Sequence, residues 1–431
     1  MQSFEKRRRA QAAVAVVGVD AGKFRHALVV RPRDGHDSKS FPFETTRPGF
    51  EAAVAFILDA ARGTRLRAVP AQVLVGIEFA GAYGFTFAHF LHAAGFQVVN
   101  VLPSDTKRWK EVMHHQALKT DAKDALGITD LTATGHFVTF AFLEPTYAEL
   151  RYLVSTRERF SLLRRAAITR LKSTLELVFP EFETLFAQIQ SPTALAVLEA
   201  FPGPEAMLRA TRPRLIKLLR EASRSHLGAD TADALRRSAK ATLGLPLAQG
   251  ALAREIPLII AQLRMLQHHL AVIAADMQRL LASLPEGPPL LTIPWVSVVT
   301  AATFVGSIGD VRAYDSSRQV LRLAGMSLVE KSSGTLQGRQ RLSKRGRPTL
   351  RRHAFILALR WIRKDGLFRA EFEAMTARNG GVKLKALVAI ARRALKILYT
   401  VARERRAFVP VHTPLGATPR RRRTGTARRT R

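Results

Sequence analysis

The sequence predicts three regions: an α/β domain at the N-terminus, a helical coiled-coil middle and a mainly α C-terminal domain. Short apolar runs alternate with amphipathic stretches over residues 1–140, which is typical of a sheet covered by helices. Apolar residues recur at steps of three and four within residues 141–285. Helical patterning continues through residues 286–405, and residues 406–431 are predicted to be a basic disordered tail.

The chain is strongly basic. Its 431 residues include 68 Lys and Arg against 34 Asp and Glu, a net charge of +34. Such an excess repels itself unless a polyanion neutralises it, and nucleic acid is the commonest such partner. The absence of cysteine excludes disulfides, thiolate catalysis and cysteine-ligated zinc. The apolar run at 12–19 ends at Asp20, and no apolar stretch is long enough to span a bilayer, so a cytoplasmic protein without a membrane partner is expected.

The N-terminal region is predicted to contain three strands, then a helix, a strand, a helix, a strand and a helix. This order resembles the ribonuclease-H-like fold of nucleases and integrases. The predicted strands cover residues 14–19, 24–30, 40–45, 73–77 and 96–101, and the predicted helices cover residues 48–61, 83–94 and 117–133.

Four acidic residues, named here the acid quartet, form a candidate metal site on this scaffold. Asp20 and Glu78 each follow a predicted buried strand, so they lie side by side if the strands pair. Asp121 and Asp124 are spaced i, i+3 and therefore share one helical face. Converging carboxylates repel one another, and hard cations such as Mg²⁺, or Mn²⁺ in its place, remove that repulsion. Two such ions about 4 Å apart orient a phosphodiester and stabilise the attacking and leaving oxygens.

Each acid alone has a simpler interpretation. A carboxylate after a strand is often a solvated loop residue, and Asp121 suits the N-cap of a helix. Asp124 could pair with Lys119 or Lys123 on the surface. The metal site is favoured because all four acids occur together on a basic chain with this strand order.

The middle region has helical periodicity. Between residues 256 and 284 the apolar positions alternate steps of three and four, as in a coiled-coil seam. This helix could pair two protomers, form an antiparallel hairpin within one chain, or face the core of a bundle. His268 and His269 on the same helix are interpreted as surface residues rather than metal ligands.

The C-terminal region contains a basic stretch, residues 331–364, with eleven Lys or Arg and no Asp or Glu. Such unbalanced charge indicates contact with phosphates. Ser332 and Ser333 precede Gly334 in a predicted polar turn, where a hydroxyl could attack a phosphate, although a plain turn is the simpler interpretation. The residues predicted to bind nucleic acid, the first five in a loop and the last two on a helix, are Arg339, Arg341, Lys344, Arg345, Arg347, Arg351 and Arg352.

Together these motifs resemble the DEDD transposases of the insertion-sequence-110 class, which a bridge RNA guides. The resemblance spans about residues 14–400, and its most specific element is Lys119-Thr120-Asp121-Ala122-Lys123-Asp124-Ala125. The other matching stretches are residues 17–20, 78–84, 99–103, 291–294, 309–310, 332–334 and 342–351.

The resemblance implies a RuvC-type N-terminal domain in which the acid quartet binds Mg²⁺. It also implies a coiled coil and a C-terminal transposase domain whose serine attacks DNA to give a covalent phosphoserine. Ser333 is assigned this role, with Ser332 as the alternative. By the same resemblance, the protein acts as a homo-oligomer, a dimer or tetramer, on donor and target DNA with a structured guide RNA.

The chain departs from the family pattern at two places. Trp295 and Ser297 stand where glycines are usual, and Trp295 is predicted to pack into the core. Met326-Ser327-Leu328 stands where a proline-containing segment is usual. Two other functions stay open: a nuclease similar to a Holliday-junction resolvase, which uses metal-activated water, and a non-catalytic nucleic-acid-binding relative.

Overall fold

The protein is described from a computed structural model that covers residues 3–33, 35–62, 69–79, 83–113, 120–140, 142–246, 249–333, 336–363 and 366–410, with backbone alone for residues 330–333 and 336–340. Gly81, Ala82, Lys119, Gly334 and residues 411–431 of the predicted tail lie outside the described residues. The chain divides into two compact units, residues 1–142 and residues 143–431.

The first unit contains one sheet of six strands. The strands are β1 (Ala15–Ala21), β2 (Arg25–Pro32), β3 (Phe41–Glu44), β4 (Val73–Glu78), β5 (Gln97–Val101) and β6 (Val138–Thr139). Their order across the sheet is β3-β2-β1-β4-β5-β6. Strands β1, β4 and β5 are parallel, whereas β2, β3 and β6 run antiparallel to their neighbours. The predicted α/β region is therefore confirmed, with β6 as an unpredicted addition.

Helices cover both faces of this sheet. They are α1 (Ser3–Ala12), α2 (Arg47–Ala60), α3 (Phe85–Ala93), α4 (Pro103–Met113) and α5 (Asp121–Ala133). Helices α2 and α3 pack with the core on one face, and α1, α4 and α5 pack with the core on the other. Helices α1 and α4 are not predicted from the sequence. The helix predicted from residue 117 begins at Asp121, and residues 117–119 lie outside the described residues.

Helix α5 lies directly on β1 and β4 because two glycines face it. Gly18 and Gly76 are partners in the parallel β1–β4 register. A Cβ added to Gly18 would lie 2.3 Å from the backbone nitrogen of Thr129, far inside van der Waals contact. Side chains alternate along a strand, so Asp20 and Glu78, two residues beyond these glycines, project to the same face.

We expect Gly18→Ala to destabilise the first unit. The added methyl group meets the backbone of α5 and has no flexible side chain to displace, so the cost should be roughly 2–4 kcal/mol. Chemical denaturation followed by circular dichroism measures it. Gly250→Ala is the matched control, because a Cβ at Gly250 meets nothing within 4 Å. Equal stabilities for the two variants would contradict the close approach of α5.

The first half of the second unit is helical. It comprises α6 (Pro145–Val178), α7 (Phe182–Leu185), α8 (Pro192–Ala200), α9 (Pro204–Arg209), α10 (Arg212–Ser223), α11 (Ala229–Lys240) and α12 (Gln249–Ser283). Helices α6 and α12 are antiparallel. Val154, near the start of α6, shares a core cluster with Met277 near the end of α12. Leu171, further along α6, belongs to a second core cluster together with Ile256 near the start of α12. Shorter helices α7–α11 complete the second cluster.

The apolar seam of α12 is buried within this unit. Ile256, Leu263, Leu266 and Met277 on the seam are all buried. Within the chain, α12 pairs antiparallel with α6, and its seam also faces the core formed with the neighbouring helices. Pairing of protomers along this helix stays a prediction.

By length and composition alone, α12 is apolar enough over Gly250–Ser283 to cross a membrane. The expectation that no apolar stretch is long enough to span a bilayer is therefore wrong. A single helix of this kind is a weak indication of a membrane span, since core helices meet the same criterion. Here the seam packs into the core, and Arg264 on the opposite face forms an ion pair with Glu199.

The second half of this unit surrounds a short hairpin with helices. It comprises α13 (Gly287–Leu291), α14 (Val298–Ile308), α15 (Ser317–Leu323), β7 (Leu328–Ser333), β8 (Leu336–Leu342), α16 (Pro348–Trp361), α17 (Arg369–Arg378) and α18 (Lys383–Glu404). The predicted turn at Ser332 and Ser333 is wrong, because both residues end β7, which pairs antiparallel with β8. The predicted loop is also wrong for Arg339 and Arg341, which lie in β8. The sequence hides this hairpin because polar residues occupy both faces of its strands.

Trp295 is predicted to lie in the core, and this is wrong: its side chain is 63% exposed. Trp361 already fills the core beneath, fully buried, and its Nε1 donates to the carbonyl of Pro294 at 2.8 Å. The φ of Trp295 is 65°, a left-handed conformation that favours glycine. Ser297 caps α14, its hydroxyl accepting the backbone N–H of Thr300 at 3.3 Å. A tight turn therefore precedes α14 even though the usual glycines are replaced.

Candidate active site

Asp20 and Glu78 lie side by side at the ends of the two central strands. The parallel register of β1 and β4 pairs the two residues directly. Both side chains are half-buried. The strand pairing on which their proximity depends is thus present, and both carboxylates are on the face covered by α5.

Helix α5 contributes the other two acids in its first turn. Thr120 is the N-cap, and its hydroxyl accepts the backbone N–H of Lys123. Asp121 is therefore the first helical residue rather than the cap, and its side chain is exposed. Asp124, one turn further along, is only 9% exposed. Carboxylates are stabilised at this position by the N-terminal end of the helix dipole.

The acid quartet is coupled electrostatically at Asp20. Burial raises the pKa of Asp20 to about 6, and repulsion from Asp124, Asp121 and Glu78 adds to that rise. Lys110 partly opposes the effect. Burial and repulsion from three neighbouring carboxylates both disfavour the anionic form of Asp20, and a nearby positive charge would relieve that repulsion.

Lys110 supplies a positive charge within the described structure. Its Nζ lies 2.8 Å from Oδ1 of Asp124. Sequence reasoning missed this residue because it lies on α4, which the sequence did not predict. Only the packing of α4 beside α5 makes the contact recognisable.

The donor set has the chemistry of a site for a hard divalent cation, since all four members are carboxylates. Within the part of the chain that the structure describes, no three His, Cys, Asp or Glu side chains are close enough to hold a metal ion. The carboxylates nevertheless raise the pKa of Asp20 together. By charge and ligand type the four carboxylates suit a divalent cation, but as placed in the described structure they do not form a metal-binding group, and Lys110 neutralises Asp124.

The raised pKa of Asp20 predicts that the stability difference between wild type and Asp20→Asn depends on pH. Its folded pKa of about 6 exceeds the usual 3.8, so its ionisation costs stability as pH rises from about 4 to 6. In chelator-containing buffer, Asp20→Asn should therefore be more stable than wild type at pH 8, by roughly 1–2 kcal/mol after allowing for partial exposure. The two proteins should match at pH 4. Denaturation curves at both pH values test this, and a variant less stable at pH 8 would contradict it.

Ser332 and Ser333 belong to the second unit. Ser333 is the last residue of β7 and pairs through its backbone with Leu336 of β8. The side chains of Ser332, Ser333 and Arg339 lie outside the described part of the structure.

The predicted nucleic-acid-binding residues differ in accessibility. Arg341, Lys344 and Arg345 have exposed side chains. Arg347 is half-buried, and burial lowers the pKa of its guanidinium. The exposed residues are therefore the better placed to reach a ligand.

Arg351 and Arg352 make structural contacts. Arg351 donates to the carbonyl oxygens of Ala324 and Lys344, at 2.9 Å and 3.3 Å. Arg352 forms a two-bonded ion pair with Glu158 of α6. Both residues thus help to hold α16 in place, a role that a run of basic residues does not reveal.

Comparison with known proteins gives two family matches. A model of the DEDD type, described as a transposase, matches residues 17–180, which include the whole acid quartet. A model described as the transposase IS116/IS110/IS902 family matches residues 288–373, which include Ser333. The two matches fall in different parts of the chain and agree on the same class of enzyme.

Relatives similar over most of their length come from insertion elements. The uncharacterized 43.6 kDa protein of insertion element IS110 from Streptomyces coelicolor is 27% identical, over 79% of this chain and 84% of its own. The uncharacterized 42 kDa protein of IS900 from Mycobacterium paratuberculosis is 25% identical, over 93% and 98%. The uncharacterized 44.8 kDa protein of IS116 from Streptomyces clavuligerus is 26% identical, over 91% and 96%. The two family matches and these relatives together show that the chain belongs to the IS110 class of insertion-sequence transposases, which are enzymes that act on DNA.

Proposed function

We propose that this transposase cuts and rejoins DNA with Mg²⁺ held by the acid quartet and with Ser333 as nucleophile, guided by a structured RNA. The observation that carries the metal part of the proposal is the direct pairing of Asp20 with Glu78 in the β1–β4 register, with Asp121 and Asp124 in the first turn of the helix that covers this face. The enzyme works at the bacterial chromosome, in the cytoplasm.

The strand order supports a ribonuclease-H-like, RuvC-type assignment for the first unit. A central parallel pair, β1 and β4, is extended on one side by antiparallel β2 and β3 and on the other by parallel β5. This order agrees with the fold that the sequence resembles. It places Asp20 and Glu78 at the carboxyl ends of the two central strands, where open α/β sheets bind ligands.

The acid quartet supplies oxygen ligands for the proposed ions. Asp20 and Glu78 contribute from the sheet, and Asp121 and Asp124 from α5. Bound Mg²⁺ would orient the scissile phosphate and stabilise the charge on its oxygens. Lys110, which pairs with Asp124 at 2.8 Å, would release that carboxylate when the ion binds.

Ser333 provides the proposed nucleophile. Its Oγ attacks the phosphorus of a DNA phosphodiester and loses its proton to solvent, forming a phosphoserine ester. The bond from phosphorus to the departing DNA oxygen breaks, and that oxygen takes up a proton. Attack by a hydroxyl of the new DNA partner reverses the step and frees Ser333. No water is consumed, so the free energy of the broken phosphodiester bond is conserved in the phosphoserine bond and can drive rejoining.

The basic surface of the second unit provides the proposed contacts to DNA and guide RNA. Arg341, Lys344 and Arg345 are exposed and can reach phosphates. Arg339 is proposed to contact nucleic acid with them. Arg347, Arg351 and Arg352 would position this surface through their internal contacts. Base pairing with the RNA would then supply most of the choice of sequence.

Pairing of protomers along α12 provides a proposed route to a dimer or tetramer. Besides its buried seam, α12 exposes Leu258, Met265 and Val272 at a seven-residue spacing, with exposures of 70%, 50% and 47%. Apolar residues that are exposed at a seven-residue spacing favour pairing with a second helix in a coiled coil. Light scattering of the full chain tests this, and a monomeric mass at micromolar concentration would contradict it.

The whole proposal is tested on a denaturing gel. The protein is incubated with Mg²⁺, DNA bearing the element's end junction, and RNA transcribed from its flanks. A covalent protein–DNA band that requires both the metal and the RNA would support the guided transposase. Cleavage without a covalent band would instead favour a resolvase-like nuclease, and binding without cleavage would favour a non-catalytic relative.

A further inference from the structure

A cavity of about 420 Å³ lies in the second unit, and its lining includes neither the acid quartet nor Ser333. It is open to solvent and is lined by residues of α6, α12, the first turn of α14, and α16. Its lining is rich in cations, namely Arg157, Arg164, Arg165, Arg352 and Arg360, together with His353. Sequence analysis missed this cluster because its members come from helices about 190 residues apart along the chain.

The positive charge of this arginine cavity is only partly neutralised. Glu158 pairs with Arg352 and lies 3.6 Å from Arg165. Among the described residues, neither Arg157 nor Arg164 forms an ion pair. Burial, followed by repulsion from Arg352, lowers the pKa of the Arg157 guanidinium. Five guanidinium groups around one carboxylate favour an anionic ligand.

Three buried polar atoms of the cavity lining have no hydrogen-bond partner in the described structure. They are Nε of Arg157, Nε of Arg352 and Nδ1 of His353. His353 is 9% exposed, and burial lowers its pKa to about 4, so it is neutral near pH 7 and can donate one N–H. Buried donors without partners are costly, and three around one cavity indicate a ligand with several acceptor oxygens.

The first turn of α14 adds backbone donors. Ser297, Val299 and Thr300 line the cavity. The N–H of Thr300 bonds to the Ser297 hydroxyl, whereas the helix itself offers no acceptor to the N–H groups of Val298 and Val299. The positive end of the helix dipole therefore faces the same space as the arginines, as at phosphate sites.

Trp295 adjoins this cavity. Its carbonyl oxygen accepts a hydrogen bond from Arg360 at 3.2 Å, and its indole ring is 63% exposed. An exposed indole next to an arginine that lines the cavity suits an unpaired nucleotide, whose base can stack on the ring.

We infer that the arginine cavity binds a backbone phosphate of an unpaired nucleic-acid segment, and that the neighbouring base stacks on Trp295. The inference rests on the chain's action on nucleic acid but needs neither the acid quartet nor Ser333. An unpaired segment occurs both in opened DNA and in a structured RNA, and the phosphate and base chemistry is shared by the two.

Fluorescence anisotropy of the full chain tests this inference. The probes are fluorescein-labelled single strands, one of deoxythymidine and one of uridine, with a DNA duplex for comparison, all in chelator-containing buffer. Arg157→Gln should weaken binding of at least one single strand about tenfold, the cost of a charge-assisted phosphate contact. The single strand whose affinity falls more shows whether the bound segment is DNA or RNA. Arg164→Gln, at a half-buried position, provides a second variant if Arg157→Gln folds poorly.

Arg159→Gln is the matched control, because Arg159 is an exposed arginine on the same helix that does not line the cavity. It removes the same charge and should change binding by less than about twofold. Intrinsic fluorescence adds a second readout: single strands should quench the indole emission, and Trp295→Leu should remove that quenching. Equal losses for the cavity variants and Arg159→Gln, with no quenching, would overturn the inference. Because the buffer contains a chelator and no divalent ion, this binding does not depend on the acid quartet, so failure of the acid-quartet proposal remains distinguishable.

Discussion

Asp20→Asn and Asp124→Asn should each reduce Mg²⁺-dependent strand cleavage about a thousandfold, because each removes one anionic ligand from a site that holds the scissile phosphate. The amide keeps the size of the carboxyl group, so the fold should survive. For Asp20→Asn, stability and activity should change in opposite directions: the variant is expected to be more stable at pH 8 and yet inactive. A structural role for Asp20 would instead lower both together.

Asp130→Asn is the control for these variants. Asp130 lies on α5 as well, but it pairs with Arg31 at 2.7 Å rather than with the acid quartet. Its replacement should leave cleavage within about threefold of wild type, since an ion pair at the surface contributes little to the chemistry. Cleavage measured under single-turnover conditions distinguishes the two classes. Equal losses for Asp124→Asn and Asp130→Asn would mean that α5 matters only for folding.

Ser333→Ala should abolish the covalent protein–DNA adduct, because the variant has no hydroxyl to attack the phosphorus. Binding of DNA and of divalent ions should be unchanged, since the acid quartet lies in the other unit. The measurement is the shifted band on a denaturing gel under conditions in which wild type gives a clear adduct.

Ser332→Ala is the matched control for Ser333. It removes the same group one position away on the same strand, β7. Loss of the adduct in Ser332→Ala alone would move the nucleophile to Ser332. Cleavage that survives in both variants would favour metal-activated water and the resolvase-like mechanism.

The places of the four acids on the strands and the helix were predictable because each follows a local rule, whereas their role as metal ligands stays a prediction. Asp20 and Glu78 each end a short, continuous apolar run, and such runs become central strands whose ends meet at one edge of the sheet. The spacing of Asp121 and Asp124 is likewise a property of a single helix. Gly18, however, looks like any strand glycine in the sequence, and only the structure shows that its lack of a side chain allows α5 to approach.

Features that depend on packing could not be read from the sequence. Lys110 meets Asp124 through the packing of α4 on α5, and Arg157 meets His353 through helices far apart in the chain. Trp295 was misplaced because size and hydrophobicity favour burial, whereas the space it would fill is taken by Trp361. The β7–β8 hairpin was missed because its pattern is polar rather than alternating.

The most direct test of the acid quartet is Mn²⁺ binding, measured by electron paramagnetic resonance of the free ion during titration of the full chain. Wild type should bind one or two Mn²⁺ per chain, Mg²⁺ should compete, and Asp130→Asn should behave like wild type. Asp20→Asn and Asp124→Asn should each weaken the binding at least tenfold. Unchanged Mn²⁺ binding in both variants would contradict the claim that these carboxylates form one metal site.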